Sequence, residues 1–519
     1  MRILVTGGAG FVGSHLIDRL LAEGHSVICV DSFFSGKKEN IAHHIDNPNF
    51  TLVAHDIRFP LKLKSERLDR IYHLACPASP MQYQFDPILT LETSIIGTKH
   101  MLNLARQTGA RLLFSSTSEV YGDPLEHPQK ENYFGNVDPL GKRACYDEGK
   151  RAAETLCKDF IEQHKVDARI VRLFNVYGPR MMFNDGRVLS NFILQALLGE
   201  DMTVYGKGEQ TRSFMYIDDL IDALIKRMEV LGDDWRPVNL GNPDERAIID
   251  LANQVKVATN SQSAIVHYDD NDMPGRIGDP RRRCPDISRA KELLNWSPKV
   301  SFAEGLQKTI ADFRIRLEHR PHVLVFSTSY APVSGPAENA AAEVIARSPG
   351  YEFDIITARL NSDMPAESHE GRVHIYRVGT GRKFDKFLLP IRASIKAKKL
   401  HKKNHYQIAW AIMASYGALA AIIFSSVLRA KVPFLLSVFE GNIENRMLQR
   451  GRLLSPLYQL IFRHAHRWQV VGQMSERQRS WLEDERHVQA IQADGNWELL
   501  AKRTKEQFQE IEILSTRLS

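Results

Sequence analysis

A glycine-rich turn near the N-terminus constrains the fold more than any other stretch of the sequence. In TGGAGFVGSH, Gly7, Gly10 and Gly13 directly follow the apolar run RILV and open a helix-forming segment. The first glycine of such a turn lets the chain reverse tightly, the second lets the backbone approach a pyrophosphate, and the third lets the helix pack close to the sheet. The helix N-terminus adds amide donors and positive potential. The pattern predicts a dinucleotide-binding turn that includes Phe11 and Val12.

An acidic residue further along the chain supports this interpretation. The next β-branched run, SVICVD, ends in Asp31, about twenty residues after the turn, where a carboxylate can accept hydrogen bonds from both ribose hydroxyls. An acid there favours NAD over its phosphorylated form. The alternative is a glycine-rich turn with an incidental acid. Asp56, which precedes Ile57, could contact the adenine edge or be an ordinary turn aspartate.

The order of segments predicts an α/β fold with two domains. Short β-branched runs alternate with helical segments through residues 1–115, which is typical of a parallel sheet with helices on both faces. We expect a Rossmann-type doubly wound parallel sheet with a smaller substrate-binding subdomain, followed by a second Rossmann-like α/β domain that opens with HVLVFSTSYAP. The predicted divisions are residues 1–317, a linker at 318–321, the second domain at 322–500, and a charged, helix-prone tail at 501–519.

Composition narrows the class of protein. The net charge of +6 is the small difference between 68 basic and 62 acidic side chains, so the charge does not predict a nucleic-acid partner. Five cysteines are scattered without metal-ligand spacing, which favours reduced thiols, a cytoplasmic location and no metal site. The first strand-like run begins at residue 2, and this leaves no room for a signal peptide.

One apolar stretch raises the question of a membrane span. Residues 408–428, IAWAIMASYGALAAIIFSSVL, carry no charge over about the length that crosses a bilayer. The stretch is also consistent with a buried strand, a turn, a helix and a following strand, and we favour this arrangement. The basic run IKAKKLHKKNH just before it is typical of a solvated helix face.

A tyrosine and a lysine one helical turn apart suggest redox chemistry. Tyr146 and Lys150 lie in RACYDEGKRAAE, after a strand that ends in a Ser/Thr cluster at Thr117. A phenol with a pKa near 10 is a poor base at neutral pH, but a nearby ammonium stabilises the phenolate, and Thr117 can hydrogen-bond a substrate hydroxyl. The spacing alone is equally typical of a solvated helix face. Combined with the dinucleotide turn, it favours a catalytic pair.

These motifs together resemble the extended short-chain dehydrogenase/reductase family, and in particular its NAD-dependent nucleotide-sugar enzymes, over residues 1 to about 317. The similarity to the UDP-glucuronate decarboxylase pattern rests on six long stretches: HLACPASP, STSEVYGDP, RACYDEGKRAAE, FNVYGPRM, NDGRVLSNFILQAL and VYGKGEQTRSF. The resemblance implies a homodimer with NAD as cofactor and UDP-glucuronate as substrate. It also assigns Ala75 to the cofactor site.

Within this family, the residues after the strand-end threonine separate the reactions. The 4,6-dehydratases carry Asp-Glu there, whereas the decarboxylases carry Ser-Glu, as this chain does at Ser118 and Glu119. The resemblance implies that C4 is oxidised, carbon dioxide is lost from the 4-keto acid, and C4 is reduced again to give UDP-xylose. Ser118 and Glu119 would position a water or deliver a proton to C5. In GDPRRRCPDI, Arg283 corresponds to the arginine that meets the sugar carboxylate, although Gly278 replaces the usual aspartate.

Substrate contacts are expected mainly from segments 175–215 and 265–300. Two phosphates call for forked cations and a uracil calls for a flat partner, so Arg187, Arg212 and Tyr205 fit a UDP clamp, with Asn175 near the diphosphate or sugar. Each could instead have a packing or surface role. The resemblance further assigns Ser79, Tyr83 and Gln210 to substrate binding.

The second domain resembles the N-terminal half of a GT-B glycosyltransferase in pattern only. It could serve a glycosyltransferase partner, bind a lipid or glycan acceptor through Lys396 to Lys403, or be a remnant without activity. For the whole chain, alternatives to the decarboxylase are a decarboxylase that releases the 4-keto pentose, a 4-epimerase, a 4,6-dehydratase, and a scaffold for a glycosyltransferase complex.

Overall fold

A computed structural model describes residues 1–63, 67–84, 86–183, 186–269, 282–428, 430 and 432–438, and only short stretches between 461 and 508. Within it the chain divides into two compact units, Met1–Ile315 and Arg316–Ser519. The division falls inside a helix that continues to Glu318, so the helix extends one residue into the predicted linker.

The first unit is built on a seven-stranded sheet in which all neighbouring strands are parallel. Its strands, in spatial order, are β11 (Val238–Leu240), β6 (Ala168–Leu173), β5 (Arg111–Thr117), β4 (Arg70–His73), β1 (Arg2–Thr6), β2 (Ser26–Asp31) and β3 (Phe50–Ala54). Residues 3–6 of β1 are all buried, as expected for a sheet that is covered on both faces.

Helices flank this sheet. The pairs α1 with α7 and α4 with α5 contact each other and the strands beneath them. The helices of the first unit are α1 (Phe11–Ala22), α2 (Pro80–Tyr83), α3 (Pro87–Glu92), α4 (Thr98–Thr108), α5 (Ala144–His164), α6 (Val188–Leu198), α7 (Ile217–Glu229), α8 (Ile248–Thr259), α9 (Ser288–Leu294) and α10 (Phe302–Glu318). The predicted Rossmann-type sheet is confirmed.

Short strands outside the main sheet form the smaller substructure that the sequence predicts. They make a three-stranded sheet, β12-β9-β14, and the pairs β10-β7 and β13-β8. Their bounds are β7 (Val176–Tyr177), β8 (Met202–Tyr205), β9 (Thr211–Ser213), β10 (Met215–Tyr216), β12 (Glu245–Ala247), β13 (Ile265–Tyr268) and β14 (Arg282–Arg283). Residues 270–281, with Gly278 and the start of the GDPRRRCPDI motif, lie outside the described residues.

The strand order reverses between β1 and β4, because β2 and β3 lie on one side of β1 and the later strands lie on the other. Ligands of doubly wound sheets bind at such a switch point, outside the carboxyl ends of the strands. Gly7 follows β1 and Ala75 follows β4, and a Cβ on Gly7 would lie only 2.9 Å from the Ala75 Cα. The glycine turn therefore sits at the switch point.

The second unit is also α/β, with an eight-stranded sheet whose neighbouring strands are parallel except for β17 against β18. In spatial order its strands are β17 (Glu367–Glu370), β18 (Val373–Val378), β16 (Glu352–Ala358), β15 (His322–Phe326), β19 (Ile408–Ile412), β20 (Phe434–Val438), β21 (Arg467–Val471) and β22 (Val488–Ile491). Its helices are α11 (Pro336–Ala346), α12 (Asp385–Asn404) and α13 (Tyr416–Ile422).

The apolar stretch 408–428 folds as the sequence favours. Buried strand β19 is followed by a turn at Met413, then by helix α13, which continues as one π-helical turn to Val427, and then by β20. In the described part of the chain, no helix is long and apolar enough to span a bilayer. In the tail, the described residues Ala501 and Phe508 are helical and buried in the core of the second unit.

Candidate active site

The glycine turn is as tight as its sequence suggests. Gly7 has a φ of +69°, and a Cβ on Gly13 would lie 2.2 Å from the Gly7 carbonyl oxygen. Helix α1 begins just beyond, with Ser14 N donating to Gly10 O at 3.0 Å. Phe11 and Val12 form the first turn of this helix. The backbone amides at the start of α1 therefore lie in a turn whose glycines have no side chains to obstruct a bound pyrophosphate.

Asp31 is held against the turn by two backbone amides. Ala9 N donates to its Oδ2 at 2.9 Å and Phe33 N donates to its Oδ1 at 2.8 Å. Burial raises the pKa of this carboxyl above its ordinary value, and the two amides oppose that rise. Each oxygen still has lone pairs to accept from a ribose hydroxyl. The residues present fit a dinucleotide.

Asp56 and Ile57, also predicted to contact the cofactor, follow β3 at the edge of the main sheet. Asp56 is paired with Arg58, whose Nη2 lies 2.8 Å from Asp56 Oδ2. Burial alone would raise the pKa of Asp56, but the hydrogen bonds from Arg58 outweigh it and lower the pKa. Ile57 is buried, and a Cβ on Gly97 would lie 2.6 Å from its Cδ1.

Tyr146 lies buried on helix α5 near the carboxyl end of β5. Its ring stacks on Tyr83 with centroids 5.1 Å apart and planes 6° apart. Burial raises the pKa of the phenol, and a hydrogen bond with Thr117 opposes the rise. We expected Lys150 to stabilise the phenolate, but in this structure desolvation dominates and the net shift is upward.

Lys150 is fixed one turn further along α5. Its Nζ donates to Ser115 O at 2.7 Å and lies 4.9 Å from the centroid of the Phe114 ring. It is only 3% exposed, and burial lowers the pKa of its ammonium. The lysine is therefore a rigidly held cation at the base of the site.

Four ionisable side chains form a cluster beside Tyr146. Arg283, which is 1% exposed, donates from Nη1 to Ser118 O at 2.9 Å and from Nη2 to Glu119 Oε2 at 3.1 Å. Arg143 also donates to the Glu119 carboxylate. Asp147 completes the cluster, with Oδ2 at 3.9 Å from Arg143 Nε. We call Arg143, Asp147, Arg283 and Glu119 the ionic cluster.

Arg143 and Asp147 belong to no motif that marks them as functional in the sequence. Asp147 is 6% exposed, and within the described residues its Oδ1 has no hydrogen-bond partner. Burial, reinforced by the charge of Glu119, raises its pKa to about 8. The sequence does hold one sign that Arg143 and Asp147 act together. They lie four residues apart, next to Tyr146, and this spacing places both side chains on one face of a helix.

The raised pKa of Asp147 predicts how the stability of the fold depends on pH. The folded chain keeps the proton of Asp147 up to about pH 8, whereas an unfolded aspartate releases it near its ordinary value of 3.8. Between these values the unfolded state binds fewer protons, so stability falls as pH rises. In Asp147→Asn this term is absent. We expect the melting temperature of the variant, relative to wild type, to be higher at about pH 8 than at about pH 5.

The matched control is Asp46→Asn, because Asp46 is an exposed acid. Its melting temperature relative to wild type should be the same at both pH values. A pH-independent difference for Asp147→Asn as well would show that Asp147 is ionised throughout.

The predicted substrate residues fall into separate groups. Ser79 is 1% exposed, and its Oγ has no hydrogen-bond partner within the described residues. Arg187 Nη2 donates to Ala78 O at 3.1 Å, and its charge opposes the rise of the Tyr146 pKa. These two therefore join Tyr83 at the Tyr146 side of the site.

The remaining substrate residues lie on the short strands or directly before them. Arg212 is in register with Arg283 on the parallel pair β9 and β14. Gln210 Nε2 donates to Tyr205 O at 3.2 Å, and Asn175 O accepts from Met215 N at 2.9 Å. Asn184 and Asp185 of the NDGRVLSNFILQAL motif lie outside the described residues.

An extended short-chain dehydrogenase/reductase is defined by two features of this site. One is the glycine turn at the switch point with Asp31, and the other is the group of Thr117, Tyr146 and Lys150. Residues 4–309 match the family model described as GDP-mannose 4,6 dehydratase. The chain belongs to this family. Among the curated proteins similar to this chain is UDP-glucuronic acid decarboxylase 2 of Arabidopsis thaliana, which is 54% identical over 317 residues (61% of this chain, 69% of the relative). Another is UDP-glucuronic acid decarboxylase 1 of Xenopus tropicalis, 52% identical over 336 residues (65% and 76%).

A solved structure agrees with this assignment. UDP-glucuronic acid 4-epimerase from Bacillus cereus, in complex with UDP-glucuronic acid and NAD, is 28% identical with a TM-score of 0.54 and covers 61% of this chain and 99% of its own. The resemblance inferred from the motifs is confirmed.

Proposed function

We propose that the chain is a decarboxylase that converts UDP-glucuronate to UDP-xylose with bound NAD. The observation that carries the proposal is the position of Arg283, held against Ser118 and Glu119 beside Tyr146. Relatives that are named UDP-glucuronic acid decarboxylases and share more than half of the aligned residues support it.

The glycine turn and Asp31 would hold NAD at the switch point. Bound NAD would supply reversible hydride transfer at C4 and the positive charge of its oxidised ring. A group of this kind is needed because direct loss of carbon dioxide from the acid would leave an unstabilised carbanion at C5. Oxidation at C4 makes a β-keto acid, and the charge left by carbon dioxide is then shared with the ketone oxygen.

Tyr146 is the proton-handling group at C4. Its phenolate removes the C4 hydroxyl proton during oxidation, and its phenol returns a proton to the C4 oxygen at the end. Because burial raises the pKa of Tyr146, the site must supply positive charge to make it a base. Lys150 and Arg187 are two cations of the chain that contribute this charge. Thr117 orients the same hydroxyl.

The ionic cluster suits an anionic sugar. Burial raises the pKa of Asp147 to about 8, so at neutral pH Glu119 is the ionised carboxylate of this cluster, beside its two arginines. The carboxylate of UDP-glucuronate pairs with these arginines. Glu119 also competes for Arg283, which weakens the grip on a group that must leave as neutral carbon dioxide. Tight pairing would instead stabilise the substrate.

Glu119 then contributes to the steps after oxidation. We expect Glu119→Gln to slow formation of UDP-xylose by about 10²-fold, since the uncharged amide can neither accept a proton nor balance Arg283 and Arg143. A quench-flow measurement of carbon dioxide release and of absorbance of the reduced cofactor separates oxidation from decarboxylation. Unchanged rates for both steps would reduce Glu119 to a packing role.

The UDP part is bound away from the reacting carbon. Arg187 and Arg212 provide forked cations for the diphosphate, Asn175 and Gln210 provide amides, and Tyr205 provides a flat surface for the uracil. Ser79, whose buried Oγ has no partner within the described residues, is placed to bond a sugar hydroxyl, and Tyr83 lines the site beside Tyr146.

Incubation with UDP-glucuronate and NAD, followed by mass analysis of the nucleotide sugar, tests the proposal. We expect a product lighter than the substrate by carbon dioxide, with no net accumulation of reduced cofactor. A product of unchanged mass would instead indicate a 4-epimerase, and stoichiometric reduced cofactor with a keto product would indicate a truncated cycle. Loss of water would indicate a dehydratase.

Two further proposals rest on the sequence resemblance alone. The chain forms a homodimer, which light scattering after size-exclusion chromatography can test. The second unit serves a partner of the glycosyltransferase type, and co-purification from the source cells with and without residues 322–519 can test this role.

A further inference from the structure

Helix α12 of the second unit has an apolar face that is turned to solvent. Five large side chains on or next to this helix are between 47% and 76% exposed. They are Phe384, Phe387, Leu388, Ile391 and Ile395. Single exposed apolar residues are common on protein surfaces, but a contiguous patch marks an interaction site.

The five residues form one stripe. Their spacing of three, four, seven and eleven residues from Phe384 is the spacing of a single helix face, and the stripe is about 16 Å long at 1.5 Å per residue. The opposite face, with Leu389, Ala393 and Ala397, is fully buried in the core. One apolar face of the helix therefore packs in the core, and a second apolar face is exposed to solvent.

Positive charge brackets the stripe at both ends. The exposed cations are Arg382 and Lys383 before it, and Lys398, Lys399, Lys402 and Lys403 after it. The one acidic residue of α12 is Asp385, which is 4% exposed and bound to Arg392 at 2.5 Å. On the neighbouring strand β17, Glu367 is neutralised by Lys396 at 2.7 Å. The outward face thus has cations but no carboxylate of its own helix.

We propose that this face binds the surface of a bilayer that contains anionic lipids. The apolar stripe enters the boundary between headgroups and acyl chains, and the bracketing cations meet the lipid phosphates. A second copy of the chain is a poor occupant, because it would bring like charges together. The contact lies on the surface, since most of the apolar stretch 408–428 is buried or half-buried in the fold. The proposal is independent of the decarboxylase activity.

Flotation of the full chain with lipid vesicles tests the proposal. We expect binding to vesicles of phosphatidylcholine with phosphatidylglycerol, little binding to phosphatidylcholine alone, and weakening as salt is added. The double variant Phe387→Ser/Ile391→Ser should bind at least about tenfold more weakly, because two of the five apolar side chains of the stripe are removed. Lys398→Gln/Lys402→Gln should bind anionic vesicles more weakly than wild type and show a smaller effect of added salt, because two of the six bracketing cations are removed.

The matched control is Leu231→Ser, which removes an 88% exposed leucine from the first unit and should bind vesicles as the wild type does. All variants should keep their melting temperature and their activity on UDP-glucuronate. Failure of the wild type to bind anionic vesicles would overturn the proposal, and so would undiminished binding by the Phe387→Ser/Ile391→Ser variant. A change of oligomeric state in that variant, without an effect on vesicles, would assign the face to self-association instead.

Discussion

Tyr146→Phe is expected to slow conversion of UDP-glucuronate by roughly 10⁴-fold, the upper end of what general acid–base catalysis contributes. The change removes one oxygen and leaves the ring, which stacks on Tyr83 at 5.1 Å, in place. The change also removes the hydrogen bond between Tyr146 and Thr117. Steady-state rates measured by mass analysis of the nucleotide sugar provide the test.

Binding measurements separate a lost proton relay from a damaged site. The affinities of the Tyr146→Phe variant for NAD and for UDP should match those of the wild type, because the ring keeps its packing. Turnover within tenfold of wild type would refute the role of Tyr146. A parallel loss of NAD and UDP binding would show that the phenol has a structural role.

Gly13→Ala is expected to abolish NAD binding and with it all turnover. A Cβ at this position would lie 2.2 Å from Gly7 O and 2.7 Å from Gly8 Cα. Both atoms belong to the backbone, so no side-chain rotation can relieve the clash, and the turn must open. Overpacking of this kind costs about 1–3 kcal/mol, so the melting temperature should fall as well. Calorimetric titration with NAD and a thermal melt measure the two effects.

Gly24→Ala is the control for this substitution. Gly24 also belongs to the first unit, but a Cβ there meets nothing within 4 Å, so only the strain of its positive φ is added. NAD binding should be unchanged. If Gly13→Ala binds NAD as tightly as wild type, the turn is not the pyrophosphate site.

Much of the fold could be predicted because its signals are local. The glycine spacing, the strand that ends at Asp31 and the alternation of strands and helices each occupy a few neighbouring residues, and the structure has the sheet that they imply. The stretch 408–428 was harder, since hydropathy alone suits a membrane span. Its division into β19, a turn at Met413 and α13 was already visible in the sequence, and the structure confirms it.

What could not be predicted depends on contacts between distant segments. In the sequence, Asp147 looks like an ordinary acid on a helix surface. In the fold, α5 packs beside Glu119 and Arg283, and burial raises the pKa of Asp147 to about 8. The upward shift of the Tyr146 pKa was also missed, because desolvation is not readable from the four-residue spacing to Lys150. The basic run at the end of α12 was recognised, but the exposed stripe before it was not, since apolar residues in a helix pattern usually face the core.

The central claim is that the hydrogen taken from C4 is the one returned after carbon dioxide has left. UDP-glucuronate carrying deuterium at C4 tests this directly, in unlabelled buffer with a trace of NAD. The prediction is UDP-xylose that retains the deuterium at C4. Product that has lost carbon dioxide but carries protium at C4 would contradict the account, as would retention of both the label and the carboxyl group.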